Sequence, residues 1–314
     1  MAWPLIKFLP THTHFKFVRL APFAAIFSAL LIVGSCVSFF TQGLNLGIDF
    51  KGGTLIEVLT PGAANLSNLR NELTRIGVHD AQVQGFGAPN SAMLRFRPTQ
   101  NGSAVDEVDR IKQSLSKTTP GIVFKRVEVV GPKVSGELFK SGFVALGIAI
   151  ALMLVYIWFR FQLQFGLGAV IAVFHDIVLT LGLLSVLQIE FAMTSIAALL
   201  TVIGYSMNEK VITFDRLREN LRKYRKMPLR DVIDLSENER LSRTLITGTT
   251  ALLALCGALF LGGPALFPLV ITMMFGILIG TYSSVYVALP VILLWGVRRN
   301  DEPEPKGKPV TARP

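Results

Sequence analysis

The sequence predicts a polytopic α-helical membrane protein with six transmembrane helices and one outer-side α+β domain between helices 1 and 2. Composition is the first observation: 51% of the 314 residues are hydrophobic and only 17% are charged, which is too apolar for an ordinary soluble domain. The second is that apolar residues form runs close to the ~20 residues needed to span a bilayer. The third is a long mixed segment, residues 41–135, that interrupts these runs.

Six apolar runs supply the predicted transmembrane helices. They cover residues 20–40, 138–159, 165–187, 191–214, 244–261 and 267–297. The first run continues past Cys36, which favours an uncleaved anchor over a cleaved signal peptide. The other five form the rest of the membrane domain, 138–297, with a basic cytoplasmic loop at 215–243.

The positive charges predict the orientation of these helices. Lysine and arginine crowd before the first run and after the second, fourth and sixth, whereas the connections 188–190 and 262–266 contain neither. Because cytoplasmic flanks retain positive charge, we expect residues 1–19 and 298–314 to be cytoplasmic and 41–135 to be periplasmic in a bacterial inner membrane. The net charge of +10 therefore indicates topology rather than nucleic-acid binding. Four prolines among charges in the tail predict disorder at 298–314.

The outer segment alternates strand-like and helix-like patterns. Strands are expected at 54–60, 81–85, 93–97 and 122–130, with helices at 66–76 and 105–115. This βαββαβ order predicts a ferredoxin-like domain.

A carboxylate in the fourth run is the first candidate functional group. Glu209 follows Asn208 and precedes Lys210, and a charge at membrane depth costs about 2.5–3.5 kcal/mol on insertion scales. One interpretation is that Glu209 and Lys210 lie near the cytoplasmic end and snorkel to water. The other is that Glu209 binds and releases a proton, with Arg243 as the partner that modulates it.

A second candidate is the pair His175 and Asp176, which lies in the middle of the third run between purely apolar neighbours. A proton-relay role is chemically available to a histidine. The alternative is a polar pair that is satisfied by serine, threonine or asparagine of neighbouring helices and only specifies packing. Both hypotheses stay open at this point.

The sequence contains no motif that indicates an enzyme, a metal site or a cofactor site. The chain has no Walker loop and no nucleophile elbow, and its four histidines are dispersed, so we expect no enzyme activity, metal site or cofactor. Cys36 and Cys256 lie in apolar runs, which argues against a disulfide. Gly276 and Gly280 have the spacing that lets helix backbones approach closely.

Three segments carry a family resemblance. They are Gly-Ile-Asp-Phe-Lys-Gly-Gly at 47–53, Val-Gly-Pro-Lys-Val-Ser at 130–135, and the stretch from Val202 through Asn220 that contains Gly-Tyr-Ser-Met-Asn-Glu and Phe-Asp-Arg-Leu-Arg-Glu-Asn. Together they resemble the SecF branch of the SecD/SecF family, which is related to RND transporters. The similarity runs from about residue 20 to 297.

The resemblance implies a subunit that uses the proton motive force to help complete export of unfolded preproteins. Glu209 stands where the family has an aspartate, after a motif that includes Gly204, Tyr205 and Asn208, and Lys210 replaces a small hydroxyl residue. Arg243 matches the arginine that opens the fifth helix. Asp49, Gly52 and Gly53 match the outer-face motif, where we expect a structural role in a tight turn.

The implied partners are a SecD-like six-helix protein, the SecYEG translocon, unfolded preproteins and membrane lipids, with YajC as a further candidate. We also expect the SecD-like protein to shield Glu209, His175 and Asp176, since one six-helix bundle leaves little room to bury them all. The rival hypotheses are a half-size RND-like exporter of lipids or small molecules and a membrane scaffold that moves no protons.

Overall fold

The computed structural model of the chain describes residues 13–79, 81–97 and 104–296. Its first long helix, α1 (Phe17–Gln42), leads into a short helix α2 (Ile48–Lys51) and then into the outer domain. After that domain come α5 (Pro132–Arg160), α6 (Leu163–Val186), α7 (Met193–Lys223) and α8 (Leu229–Leu261). The chain then continues through a short 3₁₀ helix (Pro264–Leu266), α9 (Phe267–Ser283), a π-helical turn (Ser284–Ala288) and α10 (Leu289–Trp295). The predicted disordered tail and most of the predicted N-terminal segment lie outside the described residues.

Within the described residues, five helices are long and apolar enough to cross a membrane: α1, α5, α6, α8 and the continuous stretch Phe267–Trp295. Helix α7 is longer than α6, but its polar and charged residues keep it out of this set. It nevertheless lies at the centre of the bundle, where it packs against α5, α6, α8 and α9.

The outer domain has its elements in the order β1 (Gly53–Leu59), α3 (Leu66–Arg75), β2 (Gln82–Phe86), β3 (Ala88–Phe96), α4 (Ala104–Thr118) and β4 (Val123–Val130). The four strands form one antiparallel sheet in the order β2-β3-β1-β4. Strand β3 begins at Ala88, where the sequence pattern predicted residue 93.

The two helices cover one face of this sheet. Apolar residues of both layers form a single buried core that includes Ile56, Leu73, Leu94, Ile111 and Leu115. Helix α3 starts where the side chain of Asn65 accepts a hydrogen bond from the backbone N–H of Asn68, which satisfies one of the free donors of the first turn. The domain therefore has its own core, separate from that of the helical bundle.

Helices α7 and α9 approach closely where glycines remove the side chains. A Cβ on Gly276 would clash with the side chain of Val202, and one on Gly280 would lie 3.2 Å from the Cα of Ser206. This confirms the close helix packing predicted from the spacing of the two glycines. The approach brings the end of α9 against the polar middle of α7.

The predicted basic loop 215–243 is wrong. Helix α7 continues to Lys223 and α8 begins at Leu229, so only five residues, 224–228, connect them. The prediction failed because it ended the fourth element and began the fifth where apolar sequence stops and resumes, whereas helices continue beyond their apolar part.

Candidate functional site

A buried carboxylate on α6 organises the first of two charged clusters inside the bundle. Asp176 Oδ2 accepts hydrogen bonds from the hydroxyl of Ser283, at 2.7 Å, and from the ammonium group of Lys210, at 2.9 Å. The hydroxyl of Ser206 donates to the same oxygen at 2.5 Å. Residue exposure is 1% for Asp176 and 0% for Lys210. The carboxylate therefore has a full set of donors from α7 and α9, as a buried charge requires.

Lys210 is held as tightly as the carboxylate. Its Nζ also donates to the hydroxyls of Ser206, at 2.6 Å, and Ser283, at 3.0 Å, so all three ammonium hydrogens have acceptors. The idea that Glu209 and Lys210 snorkel to water is wrong, because both side chains are buried, at 1% and 0% exposure. The methylene stem of Lys210 points into the bundle from the central part of α7 and cannot reach its surface.

His175 extends this cluster towards α1. Its Nδ1 lies 2.9 Å from Asp176 Oδ1, and its Nε2 lies 3.2 Å from the hydroxyl of Ser28. Ser28 lies 2.9 Å from the hydroxyl of Tyr282, which also reaches the carbonyl oxygen of Ala24 at 2.9 Å. The polar partners expected for the histidine–aspartate pair are thus serines of three neighbouring helices, with Lys210 as an unexpected addition.

The second cluster surrounds Glu209. Its Oε2 lies 3.4 Å from Nη1 of Arg240 and 3.3 Å from the hydroxyl of Thr244. Arg240 is held mainly by Glu237, through Nε at 2.8 Å and Nη2 at 2.6 Å, and it also donates to Ser284 at 3.0 Å. These side chains are at most 4% exposed.

The predicted pairing of Glu209 with Arg243 is therefore wrong. The buried stripe of α8 contains Glu237, Arg240 and Thr244, whereas Arg243 is exposed. Arg243 lies about 100° around the helix axis from Thr244, which turns it away from α7. The prediction began the fifth transmembrane helix at residue 244 and therefore did not consider Arg240, which lies one helical turn earlier.

The two clusters meet on α9. Ser283 binds Asp176 and Lys210 of the first cluster, and the next residue, Ser284, binds Arg240 of the second. Ser284 begins the π-helical turn Ser284–Ala288. Such turns are rare and occur frequently at functional sites. Here the turn places two adjacent serines against different clusters.

The two clusters differ in net charge. With all groups ionised, Asp176 and Lys210 cancel, whereas Glu209 and Glu237 share the single positive charge of Arg240. The second cluster then has one excess negative charge in a buried place, and one bound proton makes it neutral. Glu209 is the carboxylate with the longer contacts, since Glu237 holds the guanidinium through two nitrogens.

Sequence reasoning missed Lys210, Glu237, Arg240, Ser28 and Ser283 as members of these clusters. Hydroxyl residues inside apolar runs were the available signal for the serines. Among the predicted site residues, Glu209, His175 and Asp176 are buried in the clusters, whereas Asn208, Gly204 and Arg243 lie on the outside of the bundle. The expectation that a partner is needed to shield the first three is also wrong, since this chain alone buries them.

The outer-face motif has a different arrangement. Asp49 accepts a hydrogen bond from the backbone N–H of Met193 at 2.9 Å, so its carboxylate lies at the N-terminus of α7, where negative charge is favoured. Gly52 and Gly53 have φ angles of +69° and +132°. A Cβ on Gly53 would lie 2.7 Å from the carbonyl oxygen of Phe96. These contacts place Asp49, Gly52 and Gly53 at the turn that joins α2 to β1 and to the start of α7.

A salt bridge ties the outer domain to the same end of α7. Arg95 of β3 lies 2.7 Å from Glu190, in the connection between α6 and α7. Burial raises the pKa of Glu190, although Arg95 opposes this effect. In addition, Leu46 forms a parallel β-bridge with Phe191. The outer domain is thus attached to the helix that carries Ser206, Glu209 and Lys210.

Within residues 13–79, 81–97 and 104–296, no group of histidine, cysteine, aspartate and glutamate is arranged to hold a metal ion.

Comparison with known proteins identifies the family. The family described as "Protein export membrane protein SecD/SecF, C-terminal" matches residues 110–298, and the "SecD/SecF GG Motif" matches residues 37–60. The chain belongs to the SecD/SecF family. The GG-motif match includes Asp49, Gly52 and Gly53, and the C-terminal match includes every cluster residue described above except Ala24 and Ser28.

Similar curated proteins are the "Protein translocase subunit SecF" of Cereibacter sphaeroides, 43% identical over 94% of this chain and 93% of its own length, and that of Rhodobacter capsulatus, 42% identical over 95% and 93%. The SecF of Rickettsia bellii is 36% identical over 94% and 97%. SecD/SecF family membership and these relatives make the chain a subunit of Sec protein export in a multi-pass membrane form. They do not favour the exporter or scaffold hypotheses.

Solved structures agree with this assignment. The crystal structure of SecDF from Thermus thermophilus matches with a TM-score of 0.82 and 31% identity over 94% of this chain. The structure of SecDF in its super-membrane-facing form matches with a TM-score of 0.64 and 30% identity over 90% of this chain. This chain spans only 40% and 39% of those SecDF chains.

Proposed function

We propose that this SecF-type subunit works with a SecD-like partner and uses the proton motive force to help complete preprotein translocation across the inner membrane. The observation that carries the proposal is the pair of buried charged clusters joined at Ser283 and Ser284. Charges at membrane depth are expensive and mark ion or proton pathways. Translocation itself would need no hydrolytic site in this chain.

Helix α7 is the sixth transmembrane helix in this proposal. It is long enough to span a bilayer, and its polar residues are buried against other helices rather than exposed to lipid. Both termini are then cytoplasmic and residues 41–135 are periplasmic, as the positive charges indicate. The order of elements and the antiparallel sheet of the outer domain support a ferredoxin-like fold.

Glu209 is the proton carrier that the charge count supports. In its ionised form the second cluster has an excess negative charge, and in its protonated form the cluster is neutral. When Glu209 on α7 gains or loses a proton, the attraction between its carboxyl group and Arg240 on α8 therefore changes. Asp176 and His175 supply a second, neighbouring site that communicates with the first through α9. A proton moving through 100 mV releases about 2.3 kcal/mol, which is enough to bias two conformations a few kcal/mol apart.

The contacts at the outer end of α7 would transmit a movement of this helix to the periplasmic side. Asp49 caps the helix, and Glu190 pairs with Arg95 of the sheet. A shift of α7 would therefore be transmitted to the outer domain, which is the part of the chain placed to contact an emerging preprotein.

A SecD-like partner is best placed on the outer faces of α7 and α8. Exposed residues along α7 are small or polar, namely Thr194, Ala197, Thr201, Gly204 and Asn208. On α8 one exposed stripe is likewise small or polar, namely Arg243, Thr247, Thr250, Ala254 and Gly257, and it lies beside the exposed apolar residues Leu245, Ile246 and Leu253. Small residues let helices approach closely, and polar ones at membrane depth need protein or water. A Cβ on Gly204 would have no neighbour within 4 Å among the residues that the structure describes, and a partner helix packed closely against this position would account for the glycine. SecYEG, YajC and membrane lipids complete the proposed surroundings.

The test is preprotein export into inverted membrane vesicles that contain the complete complex. Glu209→Gln keeps the shape and burial of the side chain but cannot titrate. We expect it to abolish the stimulation of export by the proton motive force while ATP-driven export and binding of the SecD-like partner remain. Glu219→Gln, on the exposed part of α7, is the matched control. Unchanged stimulation in Glu209→Gln would contradict the proposal.

A further inference from the structure

The side chains between α1 and α6 form a continuous chain of polar contacts. In order, they join the carbonyl oxygen of Ala24, the hydroxyl of Tyr282, the hydroxyl of Ser28, the imidazole of His175 and the carboxylate of Asp176. The four contacts are 2.9, 2.9, 3.2 and 2.9 Å long. The rings of His175 and Tyr282 also stack, with centroids 6.1 Å apart.

The number of hydrogens decides which contacts can be hydrogen bonds. The carbonyl oxygen and the ionised carboxylate only accept, while each hydroxyl and a neutral imidazole supply one hydrogen apiece. Three hydrogens cannot satisfy four contacts. All four are hydrogen bonds only when the His175–Asp176 pair carries one additional proton, so that His175 donates through both ring nitrogens or Asp176 donates to it.

The direction of every bond follows from this count. With the additional proton, Nε2 donates to Ser28, Ser28 donates to Tyr282, and Tyr282 donates to the carbonyl of Ala24. Without it, Nδ1 still donates to Asp176 and Ser28 turns to donate to Nε2. The single hydrogen of Tyr282 then reaches either Ser28 or Ala24, and one of its two links to α1 is lost.

We propose that Ser28 and Tyr282 belong to the proton pathway, as a hydrogen-bonded chain that binds α1 more tightly to α9 when the His175–Asp176 pair holds an additional proton. This rests on the proton-coupled function proposed above. Helix α1 leads into the outer-face turn at 47–53, so the protonation state is linked to the entry into the outer domain. The charged groups that reach the pair are its own aspartate on α6 and Lys210 of α7, which binds the other carboxylate oxygen; α1 and α9 contribute the uncharged Ser28 and Tyr282.

Proton uptake by proteoliposomes that contain this chain and a SecD-like partner tests the proposal. Under an imposed gradient, we expect Ser28→Ala to lower the uptake rate about tenfold, the effect of losing one hydrogen bond to a charged group, and Tyr282→Phe to lower it about fivefold, the effect of losing one between neutral groups. The pH at half-maximal uptake should fall, because the additional proton loses hydrogen bonds that stabilise it. Tyr286→Phe is the matched control, since its ring packs 5.4 Å from that of Tyr282 without joining the chain. Ser28→Thr keeps the hydroxyl and should stay within about twofold of the wild type.

The outcomes separate this proposal from the one on which it rests. If Asp176→Asn abolishes uptake while Tyr282→Phe and Ser28→Ala retain the normal rate and pH profile, the chain is not on the pathway, although proton coupling stands. If Glu209→Gln retains normal uptake, the proton-coupled function itself fails, whatever the hydroxyl variants do.

A second measurement needs no hydroxyl variant. Cysteines introduced on facing turns of α1 and α9, in a chain with Cys36 and Cys256 replaced, report the contact between these helices. We expect faster crosslinking at low pH than at high pH, after correction for thiol reactivity. A crosslinking rate independent of pH would overturn the proposal.

Discussion

Arg240 is the residue on which the second cluster depends. It is the shared cation of Glu209 and Glu237, and its removal leaves two carboxylates buried without a counter-charge. We expect Arg240→Ala to lower the free energy of unfolding by about 3–5 kcal/mol. Thermal unfolding of the purified protein in detergent measures this loss.

Arg243→Ala is the matched control, because Arg243 lies one turn away on the exposed side of α8. We expect it to change stability by no more than about 0.5 kcal/mol but to reduce copurification with the SecD-like partner. Equal destabilisation by both substitutions would mean that the helical phase described for α8 is wrong.

At this scale the sequence identified the polar groups that interrupt apolar runs better than those that lie outside the runs. Glu209, His175 and Asp176 are conspicuous because each interrupts apolar sequence. Arg240 and Glu237 are not, since they lie among other charges before the apolar part of α8, and only the helical phase of the folded chain turns them inwards. Lys210 was noted only as a departure from the family pattern, and nothing in the sequence pairs it with Asp176, 34 residues away.

Elements of the outer domain could be predicted well because their patterns are local. The alternation in β4 and the apolar stripes of α3 and α4 follow directly from packing of the two helices against one face of the sheet, whereas β1 is buried almost throughout. Strand β3 was predicted too short, because its first residues include Pro89 and belong to the hairpin end, where tertiary hydrogen bonds from Thr60 and Ala64 extend the strand.

Helices α3 and α4 are joined by an acid-sensitive contact. Glu72 accepts hydrogen bonds from Arg75 and Ser114, and the pKa of its carboxyl is lowered, chiefly by Arg75. A lowered pKa in the folded state stabilises the domain above the unfolded value of about 4.3, and this contribution is lost as the pH falls through the folded value.

We therefore expect Glu72→Gln to reduce the change in domain stability between about pH 5 and pH 3. Hydrogen exchange of the four strands, corrected for the intrinsic rate at each pH, measures it. Arg75→Ala should have the same effect, and the double variant should add little to either one. Additive effects would show that the two residues act independently.

For the whole molecule, the orientation in the membrane is an expectation from charge that labelling can test. Cysteines introduced at exposed positions of the outer domain, such as Asn71, should react with a membrane-impermeant thiol reagent added from the periplasmic side. A cysteine at Lys226, between α7 and α8, should react only after the membrane is opened. The reverse labelling pattern would show that the chain has the opposite orientation in the membrane.

The molecule as a whole is a bundle that buries charge in the middle and attaches the buried helix α7 to the α+β domain. Composition and apolar runs were sufficient to predict a multi-pass helical membrane protein, since bilayer thickness dictates helix length, and the count of six transmembrane helices stays a prediction. They could not show that one chain buries both clusters, because this depends on the close packing of α7 and α9 at Gly276 and Gly280.

The most direct test of the proton-coupled account is proton uptake by proteoliposomes that contain the chain together with a SecD-like partner. An imposed gradient should drive uptake in the wild type and in Glu219→Gln, and uptake should be lost in Glu209→Gln, whose side chain occupies the same place without a titratable group. Uptake in Glu209→Gln at the wild-type rate would contradict the account.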